Sequence, residues 1–388
     1  MPSYFAKLRA VKSGWQPVVA ALLGVLCLLQ GEGQLPASWQ AVRQHGDFAA
    51  KLTLLQFWLQ QLQTQHQIPG LSVAVVRPGQ PTWATGLGWA DLETHTPATA
   101  NTLYPIASLT KPLSAILLMQ LVAAGKLDLD RPFADYDPNY ASLCQQLRSA
   151  PFWLIRDYNC QATVRQHLTH TTQGNGLYQY NSYVFGQLTR VYQNITGQPL
   201  EQGILQTYII PLGLHDTATS RSDPRNPPQL ERLASPYRPA WRLLPVFAFN
   251  PLQVGRRTAP RPVTTAAGVV SSVHDLALIE QAFQAGKLLS PAGQAELFTP
   301  PAGQPYALGW FRQELGGQTV LWHYGYDVGG ASGLWVRLPQ QGVTLILLAN
   351  SPEISSQYDL ERGNVLRSPF AWAFFWLFGG GATVTAGS

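Results

Sequence analysis

The chain has 388 residues, enough for one large domain or two coupled lobes around a sizeable core. Hydrophobic residues make up 46% and charged residues only 12%, with 34 Gly and 30 Pro, which argues against a disordered chain, a collagen or a repeat array. The net charge of +5 owes much to Lys7, Arg9 and Lys12 near the start, opposed there only by Glu32. The near-neutral remainder has no basic run able to track a phosphate backbone, so nucleic acid is not an expected partner.

Residues 1–33 read as an export signal, with a basic start, the apolar stretch Val18 to Leu29 and a polar segment from Gln30 to Gln34. Such a stretch is short for a bilayer-spanning helix. Gly31 and Gly33 are the only small residues well placed for cleavage, and Cys27 lies in the apolar run without a lipoprotein context. A removed signal peptide is favoured over a retained N-terminal anchor. An exported protein, periplasmic or extracellular, is expected, with membrane association through this segment as the alternative.

Asp47 is placed to cap a helix with Phe48, Leu52, Leu55, Leu59 and Leu62 on one face. Gly70 to Arg77 and the segment TWATGLGWA predict an antiparallel hairpin turned by Pro78-Gly79-Gln80-Pro81. From about 103 to 290 the pattern is helical and irregular. Its strongest signal, SLTKPLSAILLMQLVAAG, is apolar nearly all round and is ended by Gly125, as expected of a buried helix. Ser272 and Asp275 have capping-box spacing ahead of another helix. Cys144 and Cys160 are left as an even pair once Cys27 is removed, and they are either a disulfide or two separate thiols. Strands return in YALGWFRQE, TVLWHYG, ASGLWVRLP and VTLILLAN, with turns at Gly316-Gly317 and Gln341-Gly342. The run PFAWAFFWLF is too short to cross a membrane and reads as a helix on the sheet. Strands at both ends around a helical middle predict an α+β fold, one sheet plus a helical lobe, with a cleft between them.

The chemistry starts at Ser108-Leu109-Thr110-Lys111. Positions i and i+3 at a helix start share a face, so hydroxyl and amine can meet. A serine needs a neighbour to take its proton, and a lysine in a dry pocket with a lowered pKa can do so. Ser-x-x-Lys is common by chance, but this one heads a helix too apolar for the surface, where a lysine is otherwise out of place. The string YPIASLTKPLSAILLMQLVAAGKLDLD resembles the nucleophile helix of the class C β-lactamase and penicillin-binding-protein family. The resemblance continues in ATVRQHLTHTT, TTAAGVVSSVHDL, YALGW and WHYGYDVGGASG, from about residue 50 to 350.

What the resemblance implies is a β-lactamase/transpeptidase-like domain over 34–388 with its helical lobe at roughly 103–290, acting as a serine hydrolase. It places the second motif at Tyr180-Asn181-Ser182, with Tyr180 as general acid/base. A phenol with a pKa near ~10 would need nearby cations to become a phenolate at neutral pH. Ser182 stands where the family has an asparagine, exchanging an amide for a shorter hydroxyl at a substrate-binding position. The third motif reads His323-Tyr324-Gly325 in place of Lys-Thr-Gly, a variant of esterase-like members, and the resemblance gives His323 a catalytic, hydrogen-bonding role in the site. Alternation puts His323 and Gly325 on one face of a strand, where Gly325 would let an acyl group or substrate backbone lie close. The backbone N–H groups of Ser108 and Tyr326 would form the oxyanion hole. Histidine lacks the permanent charge that lysine offers a substrate carboxylate, so neutral esters or amides are expected over β-lactams.

His170 is assigned a turn-stabilising role by the resemblance. With His167 it has a two-ligand metal spacing, but no third ligand accompanies the pair. There is no G-x-S-x-G elbow. No cofactor or metal is implied, and the expected partner is a small-molecule or peptide substrate. Rival readings are a non-catalytic binding or sensor domain on the same scaffold, a DD-carboxypeptidase, and a true β-lactamase.

Overall fold

The computed structural model describes residues 35–380 apart from 152–154, 156, 221–229, 231, 240–251 and 255–261. The expected leader, 1–33, lies outside the described residues. Seven strands form one antiparallel sheet: β1 (Gly70–Val76), β2 (Trp83–Asp91), β3 (Thr96–Pro97), β4 (Phe311–Leu315), β5 (Gln318–Asp327), β6 (Ala331–Leu338) and β7 (Val343–Ala349). Their order is β3-β2-β1-β7-β6-β5-β4, so N-terminal and C-terminal strands join where β1 pairs with β7, with Val73 opposite Leu347. Strands β1, β6 and β7 are buried along their whole length because both sheet faces are covered, which is why they read as continuous apolar runs.

Helix α1 (Ala37–His45) leads into α2 (Phe48–Gln65), whose Asp47 cap accepts a hydrogen bond from the Ala50 N–H at 2.8 Å. The buried stripe Leu52, Leu55, Trp58, Leu59 and Leu62 covers the outer face of the sheet. The C-terminal apolar run forms a helix, Pro369–Phe378, which lies beside α2. Trp58 packs against its Trp372 and Trp376 at ring distances of 6.3 and 5.2 Å. That helix is buried from Phe370 to Phe378, so its hydrophobicity is spent inside the fold. No helix among the described residues is long and apolar enough to cross a membrane.

The inner face carries the helical lobe. Helix α3 (Thr110–Ala123) is buried without a break from Thr110 to Met119 and stops at Gly125, whose φ of +67° suits glycine. Beyond it come α4 (Tyr140–Ser149), α5 (Val164–Leu168), α6 (Ser182–Gly186), α7 (Leu188–Thr196) and α8 (Val273–Gln284); Pro369–Phe378 is then α9. Cys144 on α4 is disulfide-bonded to Cys160, with Cα atoms 5.7 Å apart. Helix α8 is tied to the sheet by a buried ion pair: Arg337 Nε donates to Glu280 at 2.9 Å, and Thr344 and Trp335 donate to the same carboxylate.

Two local expectations change. The strand expected over YALGWFRQE begins only at Phe311, because Gly309 takes a φ of +77° where the chain crosses α3; a Cβ there would lie 2.7 Å from the Ala115 Cβ. The Ser272/Asp275 capping box is half formed. Ser272 accepts from the Asp275 N–H, while the Asp275 carboxylate turns away to the Asp216 N–H and the Thr217 hydroxyl.

Candidate active site

Ser108 sits on a single 3-10 turn, Ala107–Leu109, that feeds α3. Its predecessor Ala107 holds a φ of +47°, a left-handed conformation that costs a non-glycine residue about 1–3 kcal/mol and is typical of functional turns. The end of β5 presses on this turn. A Cβ on Gly325 would lie 2.4 Å from the Ile106 carbonyl oxygen, so glycine is required at 325 for the strand to approach. The close approach expected there of a substrate group is made instead by the chain just ahead of Ser108.

The turn brings Ser108 Oγ to 2.9 Å from Lys111 Nζ. Lys111 has no solvent exposure, and its nitrogen also lies 3.0 Å from Ser182 Oγ and 3.1 Å from the Ala266 carbonyl oxygen. Burial drives this amine well below the ordinary lysine pKa. In its neutral form, the one a general base uses, the amine has two N–H donors and one lone pair. The Ala266 carbonyl can only accept, so it takes one N–H; Ser182 takes the other, leaving the lone pair for the Ser108 hydroxyl. Ala266 was not foreseen as part of the site. It lies in TTAAGVVSS, and only the folded turn, fixed in part by the Thr265 hydroxyl donating to the Phe185 carbonyl, aims its carbonyl at Lys111.

Tyr180 lies over this group, with Lys111 Nζ 5.0 Å from its ring centre and Phe311 stacked at 6.2 Å. Its hydroxyl is buried and has no hydrogen-bond partner among the described residues. Burial raises its pKa and the nearby Ser108 and Ser182 hydroxyls only partly offset this, so the phenol is pushed up to about 12. The cations that a phenolate would need are not supplied here: the nearby basic groups are a buried amine and a buried imidazole, both with lowered pKa.

His170 carries the turn-stabilising role. Its carbonyl accepts from the Gln179 N–H at 2.8 Å and its Nδ1 from the Asn181 N–H at 3.1 Å, so it holds both neighbours of Tyr180. Its ring packs 4.6 Å from the Tyr180 ring. His167 is equally committed, with Tyr158 on Nε2 at 2.7 Å and the Thr163 carbonyl on Nδ1 at 2.8 Å, which leaves no room for the metal reading of the pair.

His323 and Gly325 do share the inner face, but His323 is fully buried. The Tyr324 carbonyl lies 2.7 Å from its Nδ1, so that nitrogen bears the proton. Nε2 is then an acceptor and receives the Tyr306 hydroxyl at 2.8 Å. Burial and the nearby Lys111 hold this imidazole well below the ordinary histidine pKa. Tyr306 belongs to the YALGW string and was read as strand; its partner is visible only in three dimensions. Tyr326 follows the motif, opposite Ser332, with an exposed side chain. The one acid and histidine cluster with metal-like spacing among the described residues, Asp216, His274 and Asp275, is occupied by Arg232, Asn101 and Thr217.

A sequence model described as Beta-lactamase matches residues 55–366. The chain belongs to the beta-lactamase family. Among curated family relatives, the mitochondrial serine beta-lactamase-like protein LACTB of Mus musculus is 43% identical over 72 residues, 19% of this chain and 13% of that protein. Esterase EstB of Burkholderia gladioli is 26% identical over 45% of this chain and 51% of its own. The chain thus spans about half or less of these relatives. The D-amino acid amidase of Ochrobactrum anthropi SV3, solved with D-phenylalanine, superposes with a TM-score of 0.65 at 20% identity over 84% of this chain and 98% of that one. A class C beta lactamase from Rhodobacter sphaeroides gives 0.59 at 20% identity over 84% and 99%. Both share the β-lactamase/transpeptidase-like fold of this family member.

Proposed function

We propose that this family member is a serine hydrolase that cleaves esters or amides, peptide bonds included, through an acyl-enzyme on Ser108. The observation that carries the reading is the fully buried Lys111 amine 2.9 Å from Ser108 Oγ. Lys111 takes the hydroxyl proton as Ser108 attacks the carbonyl carbon. The oxyanion is received by the backbone N–H groups of Ser108 and Tyr326. The resulting ammonium returns the proton to the leaving alcohol or amine through the protonated phenol of Tyr180, which gives up its own proton as it gains one from the Lys111 side. The C–O or C–N bond breaks and the acyl group stays on Ser108. Water, deprotonated by the same amine, then releases the acid and restores Ser108.

Ser182, first taken as a substrate-binding residue, is better read as one that positions Lys111, since its hydroxyl lies 3.0 Å from the amine. His323 serves as a neutral wall behind the site. The Cys144–Cys160 bond supports an oxidising compartment and so the export reading. A fluorophosphonate probe tests the assignment by intact-protein mass spectrometry: one adduct per chain, mapped to Ser108 and lost in Ser108→Ala, is expected. Labelling that persists in the variant overturns it.

A further inference from the structure

The peptide group between Gly325 and Tyr326 carries an N–H that the proposed mechanism uses to receive the oxyanion. A peptide group is planar and trans, so its C=O and N–H point in opposite directions and turn together. Whatever holds the Gly325 carbonyl therefore also aims the Tyr326 N–H. The Ser355 hydroxyl does this, donating to the Gly325 carbonyl oxygen at 2.7 Å. Ser355 is only 4% exposed and stands on the segment that follows β7.

That peptide has reason to need a holder. Glycine is required at 325 because a Cβ would lie 2.4 Å from the Ile106 carbonyl oxygen, yet glycine also leaves the backbone freest to rotate. Its neighbour across the ladder is Gly333, a second glycine. The holder is itself fixed. Ser332, opposite Tyr326 on β6, donates through its hydroxyl to the Ser351 carbonyl at 2.6 Å and accepts from the Ile354 N–H at 3.2 Å. Ser332, Ser351 and Ile354 have no solvent exposure. Residues 351–355 thereby form a buried brace across the ends of β5 and β6, and Ser355 is the side chain by which it reaches Gly325.

Resting on the serine-hydrolase reading, we infer that Ser355 is a positioning residue: its hydroxyl locks the 325–326 peptide so that the Tyr326 N–H faces the oxyanion formed at Ser108. It acts through that peptide and not on the reacting atoms. Its effect falls on the tetrahedral states, where the former carbonyl oxygen carries the charge that the N–H stabilises. Acylation and deacylation both pass through such a state, so both slow together and the loss appears in kcat.

The test measures kcat and KM on nitrophenyl acetate, and the Kd of phenylboronic acid, whose boron takes up the Ser108 oxygen as a tetrahedral anion. Ser355→Ala should lower kcat about tenfold with KM within about twofold, and should weaken the boronate about tenfold. Ser355→Thr keeps the hydroxyl and should bring both quantities to within about threefold of the wild type. Should Ser355→Ala fail to fold, Ser355→Thr against Ser355→Val, alike in shape and differing by the hydroxyl, makes the same comparison. A lower unfolding midpoint with wild-type kcat, or a fall in kcat with boronate affinity intact, overturns the inference and leaves Ser355 a purely structural hydroxyl. Failure of the underlying reading looks different: in the wild type, no Ser108-dependent ester release and no fluorophosphonate adduct.

Discussion

At the residue scale, the proposed function rests on one unusual placement, a lysine with no solvent exposure and no acidic partner among its hydrogen bonds. A buried ammonium is costly, so burial shifts Lys111 toward the neutral amine, the state a general base requires. The sign of the pH dependence follows. With Lys111 as the proposed base, kcat/KM should rise with pH through its lowered pKa, below the ~10.4 of an ordinary lysine. In the proposed relay Tyr180 keeps its proton, and with its pKa pushed up to about 12 it imposes no alkaline loss in the working range. Measured pH–rate profiles should therefore show an acid limb and then a plateau; a limb near pH ~10 would mean Lys111 is not the base. Lys111→Met should lower kcat by about 10²–10⁴-fold. Ser108 and Lys111 were legible in the sequence because an apolar helix has no other use for a lysine. The Ala266 carbonyl, the Tyr306 hydroxyl and the clamp of His170 around Tyr180 were not, since each is a contact across a long stretch of chain with no local pattern.

Elements show the same division. Where one face is buried or a cap is local, the sequence announces the element: Asp47 before α2, Gly125 after α3, Gly316-Gly317 between β4 and β5 with φ values of +54° and +77°. The capping box of Thr163 and Gln166 on α5 went unread although its spacing is present. The late start of β4 was hidden because Gly309 is shaped by α3, not by its neighbours in sequence. The Cys144–Cys160 bond closes a loop with a sequence separation of 16 and pins α4 to the segment ahead of α5. Closing a loop of that size stabilises by about 3 kcal/mol through the unfolded chain. Denaturant unfolding of the Cys144→Ser, Cys160→Ser protein should show a loss of about 2–4 kcal/mol relative to the oxidised wild type. Equal stabilities would mean the two thiols are not joined in the folded protein.

For the whole molecule, the decisive feature is that both chain ends build one sheet while the middle of the chain returns to its inner face. Nucleophile turn, Tyr180 segment and β5 come from three distant stretches and meet only because β1 pairs with β7 and β5 with β6. Antiparallel strands at both ends around a helical middle made the α+β class readable in advance. The position of the site within it was readable only through the family resemblance, because no local rule tells which strand will lie against which turn. Sealing His323 beneath Tyr306 removes the cation that the lysine of the third motif would supply, and with it a way of holding an acidic substrate. Initial rates on nitrophenyl acetate and on a chromogenic cephalosporin, each with wild type and Ser108→Ala, therefore probe the proposal at its core. Ester hydrolysis abolished in the variant, with cephalosporin turnover at least about tenfold lower in kcat/KM, is the predicted result. Ester hydrolysis that survives loss of the Ser108 hydroxyl, or none in the wild type, would contradict it.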